Sequence, residues 1–216
     1  MRRHRLLRLI AGFKKFKEKY FKIDSATYFR ELSSGQNPKT LIIACSDSRV
    51  DPALLSSAEP GDIFVVRNVA NLVPPYESAL SGFHGVSAAI EFAVCNLKVE
   101  TVVLLGHRQC GGIRALMSDD LTGSASENSF IKQWMKIALP AKARVLQKYS
   151  QQSFEEQCQS CEMESIVTSI QNLKSFPFVQ DALAHRNLEI YGIYFNLETG
   201  DLLEYDEQQK HFHIIQ

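Results

Sequence analysis

The sequence predicts an α/β protein: a central, mainly parallel β-sheet flanked by helices, with an N-terminal helical arm and a C-terminal hairpin at the sheet edge. Three observations carry this. Apolar runs at residues 40–44, 62–66, 101–106 and 188–195 are short, rich in β-branched types and bounded by loop residues. Such runs suit parallel strands covered on both faces. Segments of helical periodicity lie between them. At 216 residues, 45% hydrophobic and 22% charged, the chain can bury the core of one α/β domain but is short for two. Residues 1–35 are assigned to the arm and residues 36–216 to a single α/β domain.

The arm comes first. Leu6, Leu9, Ile10, Phe13, Phe16 and Tyr20 recur at helical spacing over residues 3–20, a stripe broken only by Lys17. Residues 1–22 hold nine Lys or Arg and one acid, a charge of +8 in a chain whose net charge is zero. A basic segment invites a nucleic-acid or membrane reading. The aromatics at helical spacing read instead as a packing face, not as base-stacking platforms. The expected partner is another subunit, with no nucleic acid and no membrane. Arg8 splits the apolar residues too early for a signal peptide, and no run is long enough to span a bilayer. Five cysteines, an odd number, fit a reducing cytoplasm.

The rest follows in order. Ser25 is expected to cap a helix over residues 26–32, ended by Ser33-Ser34-Gly35. After the first strand, Asp51-Pro52 opens a short helix to about residue 57. The second strand ends on Arg67-Asn68. Past Pro74-Pro75 a long helix is expected over residues 79–96, and Gly111-Gly112 opens another. Residues 127–174 read as helical, broken at Pro140. The last strand turns at residues 197–200 into residues 201–205, an antiparallel hairpin at the sheet edge.

The chemistry gathers at two strand ends: Cys45-Ser46-Asp47-Ser48-Arg49 and Gly106-His107-Arg108-Gln109-Cys110-Gly111-Gly112. In an open α/β sheet, ligands bind just beyond the carboxyl ends of strands. A lone Cys there is more often a small buried hydrophobe. Two thiols and an imidazole together make a Cys2His set, that of a catalytic zinc with its fourth position left for water. Arg49 can fork Asp47 and keep it ionised. Cys158-Gln159-Ser160-Cys161 lies within a helical pattern with no second pair to complete a site, and reads as packing.

At these residues the chain resembles the β-class carbonic anhydrases. The resemblance runs from about Asp24 to the C-terminus and rests on Cys45-Ser-Asp47-Ser-Arg49, Val66-Arg67-Asn68-Val69-Ala70-Asn71, His84-Gly85 with Ala88-Ala89-Ile90-Glu91-Phe92, and Gly106-His107-x-x-Cys110-Gly-Gly. Residues 134–144 are similar to the plant-type branch. The resemblance implies a zinc lyase in which hydroxide on the metal attacks CO2 to give bicarbonate and a proton. It implies Cys45, His107 and Cys110 as metal ligands. Arg49 pins Asp47, which orients the nucleophile and becomes a ligand itself only in a closed, inactive state. Gln36 donates an amide hydrogen bond to substrate or bicarbonate. Phe64, Val69 and Phe92 wall an apolar pocket, in part across a dimer interface, in a homodimer or tetramer. Two departures stand out. Arg108 occupies the place of a smaller uncharged residue, and its guanidinium at the site mouth is expected to alter the pKa of the zinc-bound water. Ile42 stands where the bicarbonate-regulated branch carries Trp, so a site open at neutral pH is expected. Hydrolysis of CS2 or COS on the same fold, and a zinc-stabilised protein without turnover, are the alternatives.

Overall fold

The computed structural model describes residues 2–21, 26–77, 83–120 and 129–215. The chain divides into two compact units, Met1–Asn37 and Pro38–Gln216.

The first unit holds two helices, α1 (Arg2–Tyr20) and α2 (Ala26–Leu32). They join through aromatic rings: Phe29 lies 5.6 Å from Phe16 and 4.7 Å from Phe21, centroid to centroid. Nearer the start of α1 the apolar stripe is exposed among the described residues: Leu9 is 73% and Phe13 63% exposed. Ser25, the expected cap of α2, lies outside the described residues.

The second unit is built on six strands: β1 (Thr40–Cys45), β2 (Ile63–Asn68), β3 (Thr101–His107), β4 (Glu189–Phe195), β5 (Leu202–Asp206) and β6 (His211–Ile214). Their order is β2-β1-β3-β4-β5-β6. The first four are parallel and the last two antiparallel. From β1 the chain crosses to β2 on one side and then returns to β3 on the other. The carboxyl ends of β1 and β3 therefore flank a topological switch point, where such sheets open a crevice. Cys45 ends β1 and His107 ends β3.

Seven α-helices among the described residues complete the unit. In α3 (Pro52–Ser56), Asp51 accepts from the Ala53 amide at 3.0 Å and Pro52 fills the first turn. α4 (Gly85–Glu91) runs on into a π turn at Phe92–Asn96, closed by Leu97 N–H donating to the Phe92 carbonyl at 3.0 Å. α5 is Gly111–Met117 and α6 is Phe130–Met135. α7 (Leu139–Lys148) and α8 (Phe154–Leu173) follow, and α9 spans Pro177–His185. α8 crosses the sheet so closely that a Cβ on Gly106 would stand 2.6 Å from Ile166 Cδ1. One large apolar cluster, including Leu41, Ile43, Leu104, Ile166 and Tyr194, fills that space.

Several expectations need correction. The helix expected from residue 79 begins at Gly85; Ala79 lies outside the described residues, and His84 has non-helical backbone angles. The helical stretch is interrupted just before Pro140, as expected, between α6 and α7. Pro140 sits in the first turn of α7, where its missing N–H has no helical acceptor to lose, and the single 3-10 turn Lys136–Ala138 precedes it. A second interruption, not expected, lies between α7 and α8, where Ser153 and Glu156 form a capping box that starts a new helix. The hairpin exists, but β5 is not the edge. β6 covers it, a strand too short and too exposed to announce itself by alternation.

Candidate active site

The loop after β1 is held by two arginines. Arg49 forks Asp47, with Nε 2.9 Å from Oδ1 and Nη2 2.7 Å from Oδ2, and its amide adds a third bond to Oδ1 at 3.0 Å. This bidentate pairing holds the Asp47 carboxyl well below the usual carboxylate range. Arg67, near the end of β2, donates to the Cys45 carbonyl at 3.0 Å, the Asp47 carbonyl at 2.7 Å and Asp51 at 2.6 Å. It fixes the backbone on which Cys45 and Asp47 stand. Its place in a matched motif was the only sequence signal for this role.

The turn after β3 carries the imidazole and the second thiol. His107 is 1% exposed. Its Nδ1 lies 2.8 Å from the Arg108 carbonyl, so the ring donates there and Nε2 is left as an acceptor. Nε2 is buried with no hydrogen-bond partner among the described residues. Cys110 stands at the N-cap position of α5, where the nearby Gly112 and Ile113 amides favour a negative charge on its sulfur. The two sulfurs lie 4.0 Å apart. The ligand atoms of Cys45, His107 and Cys110 all fall within 4.8 Å of one another, a group that could hold a metal ion. Asp47 is not part of that group.

The thiols behave as a pair sharing one proton. The hydrogen bond from Cys110 pulls the Cys45 thiol down to about 4, against its burial and with help from His107. Cys110 goes up in turn, because it keeps the proton beside the Cys45 thiolate and is buried. Burial alone would lower His107, but the negative charge of the nearby Cys45 thiolate raises it.

Behind Cys110 stands a carboxylate that sequence reading missed. Glu162 of α8 is 2% exposed. One oxygen accepts from the Cys110 amide at 3.0 Å and the other from the Tyr194 hydroxyl at 2.7 Å. Burial raises its pKa, and the bond from Tyr194 opposes this. A charged residue on the buried face of a helix, just after Cys161, was the available signal.

The other expected residues are dispersed. Val69, 37% exposed, abuts Gly112: a Cβ there would lie 2.7 Å from Val69 Cγ1. Its carbonyl accepts from Trp134 Nε1 at 2.8 Å. Val69, His84 and Trp134 line an open groove of about 930 Å³. Phe64 and Phe92 pair with each other, centroids 5.9 Å apart. Phe64 stands beside Leu41, four residues before Cys45, or ~13 Å down the strand. One chain alone therefore does not bring these two rings to the thiols. Gln36 is exposed in the first unit. Arg108 is not at a site mouth: its side chain is 11% exposed and turns toward Glu162 and Glu198. Cys158 and Cys161 are buried in α8.

Comparison with known proteins identifies the family. The carbonic anhydrase family model matches residues 40–202. Beta carbonic anhydrase 3 of Arabidopsis thaliana is 38% identical over 201 residues, 92% of this chain and 77% of that protein. The structure of the β-carbonic anhydrase CcaA is similar with a TM-score of 0.89 at 34% identity, covering 99% of this chain and 93% of its own. That of CafA from Aspergillus fumigatus gives 0.80 at 26% identity, covering 94% and 91%. A tetrameric β-carbonic anhydrase from Sordaria macrospora gives 0.76 at 28%, covering 93% and 95%. The chain belongs to the carbonic anhydrase family, in its β class.

Proposed function

We propose that the chain hydrates CO2 reversibly to bicarbonate and a proton, using zinc held by Cys45, His107 and Cys110. The observation that carries this is His107 Nε2, buried without a partner among the described residues and grouped with two thiols 4.0 Å apart. That spacing suits two corners of a tetrahedron with bonds of ~2.3 Å, whose edge is ~3.8 Å. Zinc bound there supplies a Lewis acid that draws the pKa of a water toward ~7.

The chain's own groups do the rest. Arg49 keeps Asp47 ionised, and Asp47 accepts a hydrogen bond from the attacking water and aims its lone pair at CO2. Asp47 is a metal ligand only in a closed state; the fork on Arg49 favours the open one at neutral pH, and a crystal at about pH 7.5 with Asp47 on the metal would overturn that. Val69 offers an apolar wall for an apolar substrate. Phe64 and Phe92 wall the site of a neighbouring copy, and Gln36 donates its amide to substrate. The exposed stripe of α1 supports its role as an arm between subunits of a homodimer or tetramer. Free buried thiols support a cytoplasmic setting. No helix among the described residues is long and apolar enough to cross a membrane.

Stopped-flow CO2 hydration from about pH 6.5 to 9 tests this. The expected result is a rate that rises with pH and falls about a hundredfold in Asp47→Ala at unchanged metal content. Stoichiometric zinc without hydration at any pH would reject it and direct the assay to COS and CS2.

A further inference from the structure

Between His107 and Cys110 the turn carries two long polar side chains, and both are tied to one residue outside the site. Gln109 has a left-handed backbone, φ 60°, which a residue other than glycine adopts only when its surroundings hold it there. Its amide nitrogen donates to Glu198 Oε1 at 2.7 Å. On the other side it meets Arg49: Nη2 donates to the Gln109 carbonyl at 3.1 Å and Nη1 reaches its Oε1 at 3.4 Å. Arg108 places Nε 3.6 Å from Glu198 Oε2 and Nη1 3.9 Å from Glu162 Oε2. Glu198 sits in the turn after β4, where its amide donates to Asn196 Oδ1 at 3.0 Å. β4 runs alongside β3, pairing Phe195 with His107.

A polar chain thus runs Glu198–Gln109–Arg49–Asp47. Arg49 needs Nε and Nη2 for Asp47, and the bonds to Gln109 hold the guanidinium in the plane that presents this edge. We propose that Glu198 is a positioning residue. Through Gln109 it holds Arg49 in the pose that keeps Asp47 off the metal position, so that the open state depends on the β4–β5 turn. The inference rests on the proposed metal site and on the role given to Asp47. Glu198 is half exposed, and exposed ion pairs add only ~0.2–1 kcal/mol to stability. Its effect is therefore on Arg49 and the turn, not on folding.

The test uses Glu198→Ala, Glu198→Gln and Gln109→Ala in the full chain, loaded with zinc for kinetics and with cobalt(II) for absorption spectra. Azide added to the cobalt protein perturbs the visible bands only if the fourth position is exchangeable. Glu198→Ala is expected to lower kcat/KM about tenfold and to weaken the azide response, at unchanged metal content. Glu198→Gln keeps an oxygen for the Gln109 amide and restores both. The Glu198→Ala/Gln109→Ala double variant loses no more than the worse single one. Wild-type kinetics and a wild-type azide response in Glu198→Ala, with only a lower Tm, would overturn the proposal. So would a Glu198→Gln variant as impaired as Glu198→Ala. If the wild type binds metal and responds to azide but hydrates no CO2, the proposed activity fails, and the cobalt spectra still decide the role of Glu198. A wild type that takes up no metal rejects both.

Discussion

Two pairs of cysteines lie in the same apolar cluster and differ in everything that matters chemically. Cys45, Cys110, Cys158 and Cys161 are all nearly inaccessible. The first pair comes from segments 65 residues apart. The second is a CxxC on one helix. In α8, main-chain N–H groups are already donated along the helix, so nothing stabilises a thiolate. Burial pushes the Cys158 thiol up, and the Cys161 thiol up to about 12. Cys45 stands where a strand has ended, and Cys110 where a helix has not yet begun. Backbone donors at Asp47 and Ala70 face the first, and those of Gly112 and Ile113 face the second. A helix N-terminus also favours negative charge. The Cys45 thiolate is favoured first by the hydrogen bond from Cys110, which keeps the proton and is itself raised, and then by these leftover N–H groups.

The comparison breaks most sharply on metal retention. Cys45→Ala and Cys110→Ala should each lose bound zinc and all measurable CO2 hydration, while Cys158→Ala and Cys161→Ala keep both. Metal analysis after gel filtration, alongside stopped-flow assays, checks this; zinc loss in Cys161→Ala would erase the distinction.

Glu162 links the two pairs, since it follows Cys161 on α8 and its carboxylate receives the Cys110 amide. In Glu162→Ala that amide and the Tyr194 hydroxyl are both left buried and unpaired. The expected loss is about 2–4 kcal/mol in urea unfolding. Zinc affinity is expected to weaken about tenfold to a hundredfold, read by competition with a chelator. Unchanged affinity would confine Glu162 to packing.

Thiol titration sharpens the contrast with a smaller effect. The thiolate is the nucleophile. A pKa lowered to about 4 keeps Cys45 ionised above that pH, so in the metal-free protein its alkylation by iodoacetamide should persist on acidification to about pH 6. Cys161, with its pKa pushed up to about 12, stays protonated at pH ~8 and should react only on unfolding. A Cys95→Ser background removes the exposed thiol. Mass spectrometry of the labelled peptides decides, and early labelling of Cys161 would contradict the burial argument. Cys161→Ala itself should cost only about 1 kcal/mol.

The parallel strands were legible because a strand covered on both faces is a continuous apolar run; β1, β2 and β3 all fell where expected. The strand-end motifs were legible because chain order already sets Cys45 after β1 and His107 after β3. α9 and β6 were not expected. Only Phe212 of the four residues of β6 is even half-buried, so local pattern carries almost no signal there. Local sequence also places Arg108 beside His107 without saying which way its side chain turns. That was decided by Glu162 from α8 and Glu198 from the turn after β4, some fifty and ninety residues away.

The sequence by itself therefore determined the sheet's central strands and which residues stand at their ends, because burial periodicity and strand-end position are local properties. The tertiary structure decided that the two sulfurs meet at 4.0 Å, that His107 Nε2 is left buried and without a partner among the described residues, and that Arg67 and Glu162 brace the site from behind. Those facts depend on the strand order β2-β1-β3-β4 and on the crossing of α8, and long-range packing of that kind is written in no single stretch of the chain.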